Sequence, residues 1–115
     1  LGYTTDEQLP SLYAGASAFL LTSYYEGFGF PPVEAMACGT PVVSSTGGSL
    51  AEVLGDGAVL VDSYSAEEWA EQVRRVLTDS HFRETLIGRG FEKAASYTWA
   101  KAAAETMAVY RQVAQ

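Results

Sequence analysis

Residues 24–43 read YYEGFGFPPVEAMACGTPVV, and the order of residue types in this stretch decides the fold. Gly27 and Gly29 remove Cβ atoms, permit positive φ and let backbone N–H groups come close to a ligand. Pro31 and Pro32 fit a helix only in its first turn, where a missing N–H costs least. A short helix, PVEAMACG, follows; Gly39 ends it and Pro41 keeps it from resuming. PVVSS, residues 41–45, is then a continuous apolar run of the kind that forms a strand buried on both faces. The stretch is therefore a loop, a helix and a strand in succession.

Working outward, AFLLTS (residues 18–23) is a second such run, and AVLVD (58–62) a third. Ahead of them, LGYTTDEQLPSLYAGA reads as a strand exit and a helix, with Thr5 or Asp6 as N-cap and Pro10 in the first turn. Leu9, Leu12, Tyr13 and Ala16 share one face of that helix. STGGSLAEVLGDG (45–57) is a glycine turn, a brief helix and a second turn. From Ser65, the residues Trp69, Val73, Val76 and Leu77 recur at helical spacing, and residues 79–97 and 98–115 give two further helices. Strands alternating with helices imply an α/β fold with a parallel, Rossmann-like, doubly wound sheet. Three strands are visible where an open sheet of this type has about five or six, so the pattern is half of one.

The chain has 115 residues, 48% hydrophobic and 18% charged, which suits a single domain over residues 1–115. It has no apolar run approaching the roughly 20 residues of a membrane helix and no charged-then-apolar leader at Leu1. That reading is of a soluble, cytoplasmic protein. The lone cysteine, Cys38, excludes an internal disulfide and reads as a small buried apolar residue in a reducing compartment. The net charge is −7, and all seven basic residues lie after Val73 while ten of the fourteen acids lie before it. A chain with no Lys or Arg in its first 73 residues is a poor nucleic-acid binder. His81, the single histidine, has no second histidine or cysteine beside it and reads as a surface residue, with no metal site. Trp69, Trp99, Tyr97 and Tyr110 lie on or beside helices and read as packing residues.

Ligands of α/β sheets bind outside the carboxyl ends of strands, and residues 23–30 lie at that address. The N–H groups of Gly27, Phe28, Gly29, Phe30 and Val33 suit an anionic group or sugar hydroxyls. Glu34, in the first helical turn, is favoured as the anion and suits vicinal ribose hydroxyls. Glu26 could take sugar hydroxyls or support charge developing at a reacting carbon. Helix capping by Glu34 and a solvated Glu26 account for the same spacing equally well. Two carboxylates also equip a glycoside hydrolase, which needs one of them protonated near neutral pH. A non-catalytic nucleotide- or sugar-binding module is a third reading.

EGFGFPPVEAMACGTPVV, with LYAGASAFLLTS before it and GGSLAEVLGDGAVLVD after it, resembles the C-terminal, donor-binding domain of the retaining, sugar-nucleotide-dependent glycosyltransferases of GT-B fold known as group 1. The resemblance runs from about Gly2 to the final helices and covers the second half of that domain. It implies hexosyl transfer from a nucleoside-diphosphate sugar to an acceptor, with no cofactor and no metal. It implies that Glu34 binds the nucleotide ribose, that Glu26 lies against the donor sugar, and that Gly27, Phe28, Gly29 and Phe30 offer amides to the sugar and diphosphate. It lets SSTGG, residues 44–48, wall the donor pocket, although a tight turn also explains that run. The family's earlier half-domain, with its glycine-rich loop, Arg and Lys, and its N-terminal acceptor domain have no counterpart in these residues. The expectation is an inactive isolated chain, peripheral to a membrane only as part of a full enzyme. An open edge on the 18–23 strand, or the terminal helix from Trp99, could pair two copies across a two-fold axis.

Overall fold

The computed structural model describes residues 2–115; the expectation made at Leu1, that no leader stands there, falls outside them. The chain runs α1 (Leu9–Gly15), β1 (Phe19–Leu21), α2 (Phe30–Ala37), β2 (Val42–Ser45), α3 (Leu50–Leu54), a 3₁₀ turn (Gly55–Gly57), β3 (Ala58–Val61), α4 (Ala66–Thr78), α5 (Ser80–Ala95) and α6 (Trp99–Val113). The three strands are parallel in the order β1-β2-β3, with Phe19 opposite Val42 and Val42 opposite Ala58. The α/β pattern read from the three apolar runs holds.

Strand β2 is central and every one of its residues is buried. Its alternation sends Val42 into a core with Met36, Leu50, Val53, Leu54 and Ala94, and Val43 into a second core with Val61, Trp69, Val76 and Leu86. The sheet is thus covered on both faces, which is why the run lacks polar alternation. Its two serines are satisfied locally: Ser44 Oγ donates to the Ser45 carbonyl at 3.0 Å, and Ser45 Oγ to the Ser23 carbonyl at 2.5 Å. Strand β1 departs from the expectation of burial on both faces. Among the described residues it pairs only with β2, and Leu20 is 46% exposed. An apolar run does not bury itself when no element lies on one side of it.

Local chemistry sets most helix ends. Ser65, Asp79 and Thr98 cap α4, α5 and α6, accepting the N–H groups of Glu68, Phe82 and Lys101. Pro10 stands in the first turn of α1, as its missing N–H requires. The cap of α1 is Gln8, not Thr5 or Asp6: the Thr5 carbonyl accepts the N–H of Gln8 and of Leu9, so Thr5 closes a turn before the helix. Leu12 and Leu77 are exposed, in contrast to their expected core positions, while Tyr13, Trp69 and Val76 pack inward. Cys38 is half-buried at the C-cap of α2 and not in the core. Gly39 carries φ 77° past that cap, where the αL conformation ends the helix. No residue of α6 is buried; Trp99 is 82% exposed and Tyr110 is exposed, so neither is a core residue. Among the described residues, no helix is long and apolar enough to cross a membrane.

Candidate functional site

The loop between β1 and α2 is built by interlocking with the glycine turn after β2. Glu26 forms an isolated parallel bridge to Gly48. Ser49 secures it: its N–H donates to the Glu26 carbonyl at 3.1 Å, and its Oγ lies 3.1 Å from the same carbonyl and 2.6 Å from that of Gly27. The approach leaves no room for side chains. A Cβ on Gly47 would lie 2.0 Å from the Tyr24 carbonyl oxygen, and one on Gly48, whose φ is +67°, would lie 2.3 Å from that of Glu26. The 44–48 run is therefore more than a tight turn, since it buttresses the loop that carries Glu26.

At the far end of the loop Gly29 is the N-cap of α2, with φ 98°. Gly27 does not adopt the positive φ expected of it; its missing Cβ instead faces open space. Among the described residues, no protein acceptor takes the N–H of Gly27, Phe28, Gly29 or Phe30. Pro31 and Pro32 contribute no donors, so these four amides, that of the buried Gly29 among them, are left without protein acceptors at the start of the helix. The Phe28 ring does the anchoring: it packs against Phe30 at 4.8 Å and edge-on against Tyr97 at 5.3 Å, and Tyr97 in turn donates to the Val53 carbonyl at 2.9 Å.

Both glutamates have one oxygen occupied by a hydroxyl, that of Ser23 from the start of the loop and that of Tyr13 from α1. Ser23 Oγ donates to Glu26 Oε1 at 2.7 Å, and the Tyr13 hydroxyl donates to Glu34 Oε2 at 3.0 Å. Glu26 is half-buried and Glu34 exposed. Glu34 is the fifth residue of α2 and so lies in its second turn. The helix-dipole argument expected for a first-turn acid weakens there, because the effect fades beyond that turn. Burial, followed by the Glu34 carboxylate, pushes the Tyr13 pKa up to about 12.

Glu34 lines a cleft of about 580 Å³ together with Phe28, Phe30, Tyr97, Trp99 and Lys101; Glu26 does not line it. Lys101 was not visible as a site residue in the sequence, being 67 positions from Glu34. The structure brings it to the same cleft, with its Nζ 3.9 Å from Glu105. The covering of Phe28 by Tyr97, the stacking of Trp99 on Phe30 and the capping of α6 by Thr98 place the start of α6 beside that cleft. His81 is exposed, and among the described residues no cluster of His, Cys, Asp or Glu could hold a metal ion.

Comparison with known proteins gives a consistent result. The family model described as "Glycosyl transferases group 1" matches residues 1–93. The chain is 40% identical over 111 residues to the O-antigen chain mannosyltransferase B of Escherichia coli, covering 96% of this chain and 29% of that protein. Among solved structures it resembles the sucrose-phosphate synthase of Thermosynechococcus elongatus, with a TM-score of 0.82 and 33% identity over 98% of this chain and 29% of the other. It also resembles the C-terminal domain of a group 1 glycosyl transferase from Francisella tularensis, with a TM-score of 0.70 and 25% identity over 84% of this chain and 51% of the other. The chain thus spans less than a third of the first two proteins.

Proposed function

This chain belongs to the group 1 glycosyl transferases and has the fold of a GT-B C-terminal domain, and from that premise we propose that it is the part of a retaining enzyme that binds a nucleoside-diphosphate sugar for hexosyl transfer. The observation that carries the reading is the row of four amides at 27–30 without protein acceptors, flanked by two carboxylates that each keep one oxygen without a protein donor. Amides are donors and carboxylates acceptors, so the set matches a ligand with both phosphate oxygens and hydroxyls. Glu34 takes the vicinal hydroxyls of the ribose. Glu26, on the separate, buttressed part of the loop, lies against the sugar and steadies charge at the reacting carbon. Gly27, Phe28, Gly29 and Phe30 supply amides to the sugar and diphosphate. The glycoside hydrolase alternative has no support in the family match.

The reading extends to the whole protein. It needs no metal or other cofactor, works in the cytoplasm, and takes its acceptor on a separate domain. Lys101 is paired with Glu105 and, among the described residues, no other cation lines the cleft, so the chain by itself binds donor weakly and transfers nothing. Two copies pair through the open edge of β1 or through α6.

The test uses the protein in its native length. Glu34→Gln weakens binding of the free nucleoside diphosphate in calorimetric titration by about 10- to 100-fold, the size of a hydrogen bond to a charged group. Glu26→Gln lowers turnover while leaving that affinity unchanged. Parent-like behaviour of both variants, or full dependence of transfer on added manganese, refutes the proposal.

A further inference from the structure

Glu34 is an exposed side chain with several rotatable bonds, standing past the first turn of α2 where the helix terminus no longer holds it. What holds it is a residue from another helix. The Tyr13 hydroxyl, 3.0 Å from Oε2, comes from α1 and is itself locked. Its ring rests edge-on against Phe19 with centroids 5.7 Å apart, and its backbone carbonyl accepts a hydrogen bond from Thr40 Oγ1 beyond the end of α2. Both ends of the bond are thereby tied to the same helix–strand unit. A carboxylate with one oxygen pinned has its plane and rotamer set before a ligand arrives, and ordering the side chain no longer counts against binding.

We infer that Tyr13 is a positioning residue for Glu34, holding Oε2 so that Oε1 meets the vicinal ribose hydroxyls of the donor. The inference rests on the ribose reading of Glu34 proposed above.

The test compares the native-length parent with Tyr13→Phe, Glu34→Gln and the double variant. The probes are uridine, guanosine and adenosine diphosphates and, for whichever binds the parent most tightly, its 2′,3′-dideoxy analogue. Phenylalanine keeps the ring against Phe19, and a denaturation curve confirms that the fold is retained. The expected result is a three- to ten-fold weaker dissociation constant of Tyr13→Phe for the ribonucleotide, about the size of one net hydrogen bond. The dideoxy analogue should show no change, and the Glu34→Gln background no further loss. Equal weakening for both nucleotides means a merely structural tyrosine and overturns the inference. So does an unchanged Tyr13→Phe beside a weakened Glu34→Gln, which leaves the ribose reading standing. An unchanged Glu34→Gln, or no binding of any of the three nucleotides to the parent, overturns the ribose reading and this inference with it.

Discussion

Replacing Gly48 by alanine tests how the candidate site is held together. The residue has φ +67°, and its new Cβ would lie 2.3 Å from the Glu26 carbonyl oxygen, 3.0 Å from the Glu26 nitrogen and 3.1 Å from Tyr25 Cδ2. Two of these contacts are backbone, which cannot rotate away. The left-handed conformation alone costs a side-chain-bearing residue about 1–2 kcal/mol. Relieving the clash means separating the two loops, which breaks one or two of the Ser49 bonds to the Glu26 and Gly27 carbonyls, at about 1 kcal/mol net each. The sum is about 3 kcal/mol, a large share of the 5–15 kcal/mol available to a domain. Urea denaturation of the native-length protein, followed by circular dichroism, reads it. Gly27→Ala is the control: no atom lies within 4 Å of its Cβ, so stability stays within about 0.5 kcal/mol of the parent, while a methyl group on the amide row weakens nucleotide binding. A Gly48→Ala loss below about 1 kcal/mol would refute the interlocking account.

Ser23→Ala, which removes the 2.7 Å bond to Glu26, should lower turnover in the sense of Glu26→Gln but only by about three- to ten-fold, with nucleotide affinity unchanged in titration calorimetry. The Tyr13 phenol should titrate at about 12 in the folded protein, read by its ultraviolet absorbance. A folded pKa above the unfolded one favours the protonated form, so this contribution to stability is complete below about pH 10 and is lost as pH rises toward 12. Glu34→Gln should bring the value down without restoring it to 10, because burial is the larger cause. Sedimentation at micromolar concentration should show a dimer of the 115-residue chain; a folded monomer with protected β1 amides would rule the edge pairing out.

Continuous apolar runs, glycine and proline placement and the acid pair made the sheet, its helices and the motif loop legible in the sequence. Those signals are local, and each acts within a few residues. What escaped was set across the chain. The exposure of Leu20 and Trp99 depends on what lies beside β1 and α6, and hydropathy cannot report that. Gly27 and Gly29 look alike in EGFGF, yet one is needed for its backbone conformation and the other only borders open space. The bond from Tyr13 to Glu34 joins positions 21 apart, and no spacing rule reaches from one helix to the next.

The placement of the glutamates follows from the prolines between them. A helix N-terminus usually presents several N–H groups, but Pro31 and Pro32 remove two of them from α2, leaving the donors at 27–30, mostly in the loop before it. A loop lacks the repeating hydrogen bonds that stiffen a helix, so its amides hold a ligand-ready arrangement only if other segments fix it. The turn at Gly47–Ser49 does so from one side and the Phe28, Phe30 and Tyr97 rings, packed tilted and edge-on, from the other. The same holds for the carboxylates, each pinned by a hydroxyl from β1's exit or from α1. The acidic motif therefore supplies the groups and its neighbours supply the geometry. Among the described residues the groups around this loop are amide dipoles more than cations, since Lys101, which lines the cleft, lies 3.9 Å from Glu105. Dipole fields fall off faster with distance than those of charges, so the arrangement selects a ligand by the positions of its oxygens and hydroxyls more than by its charge.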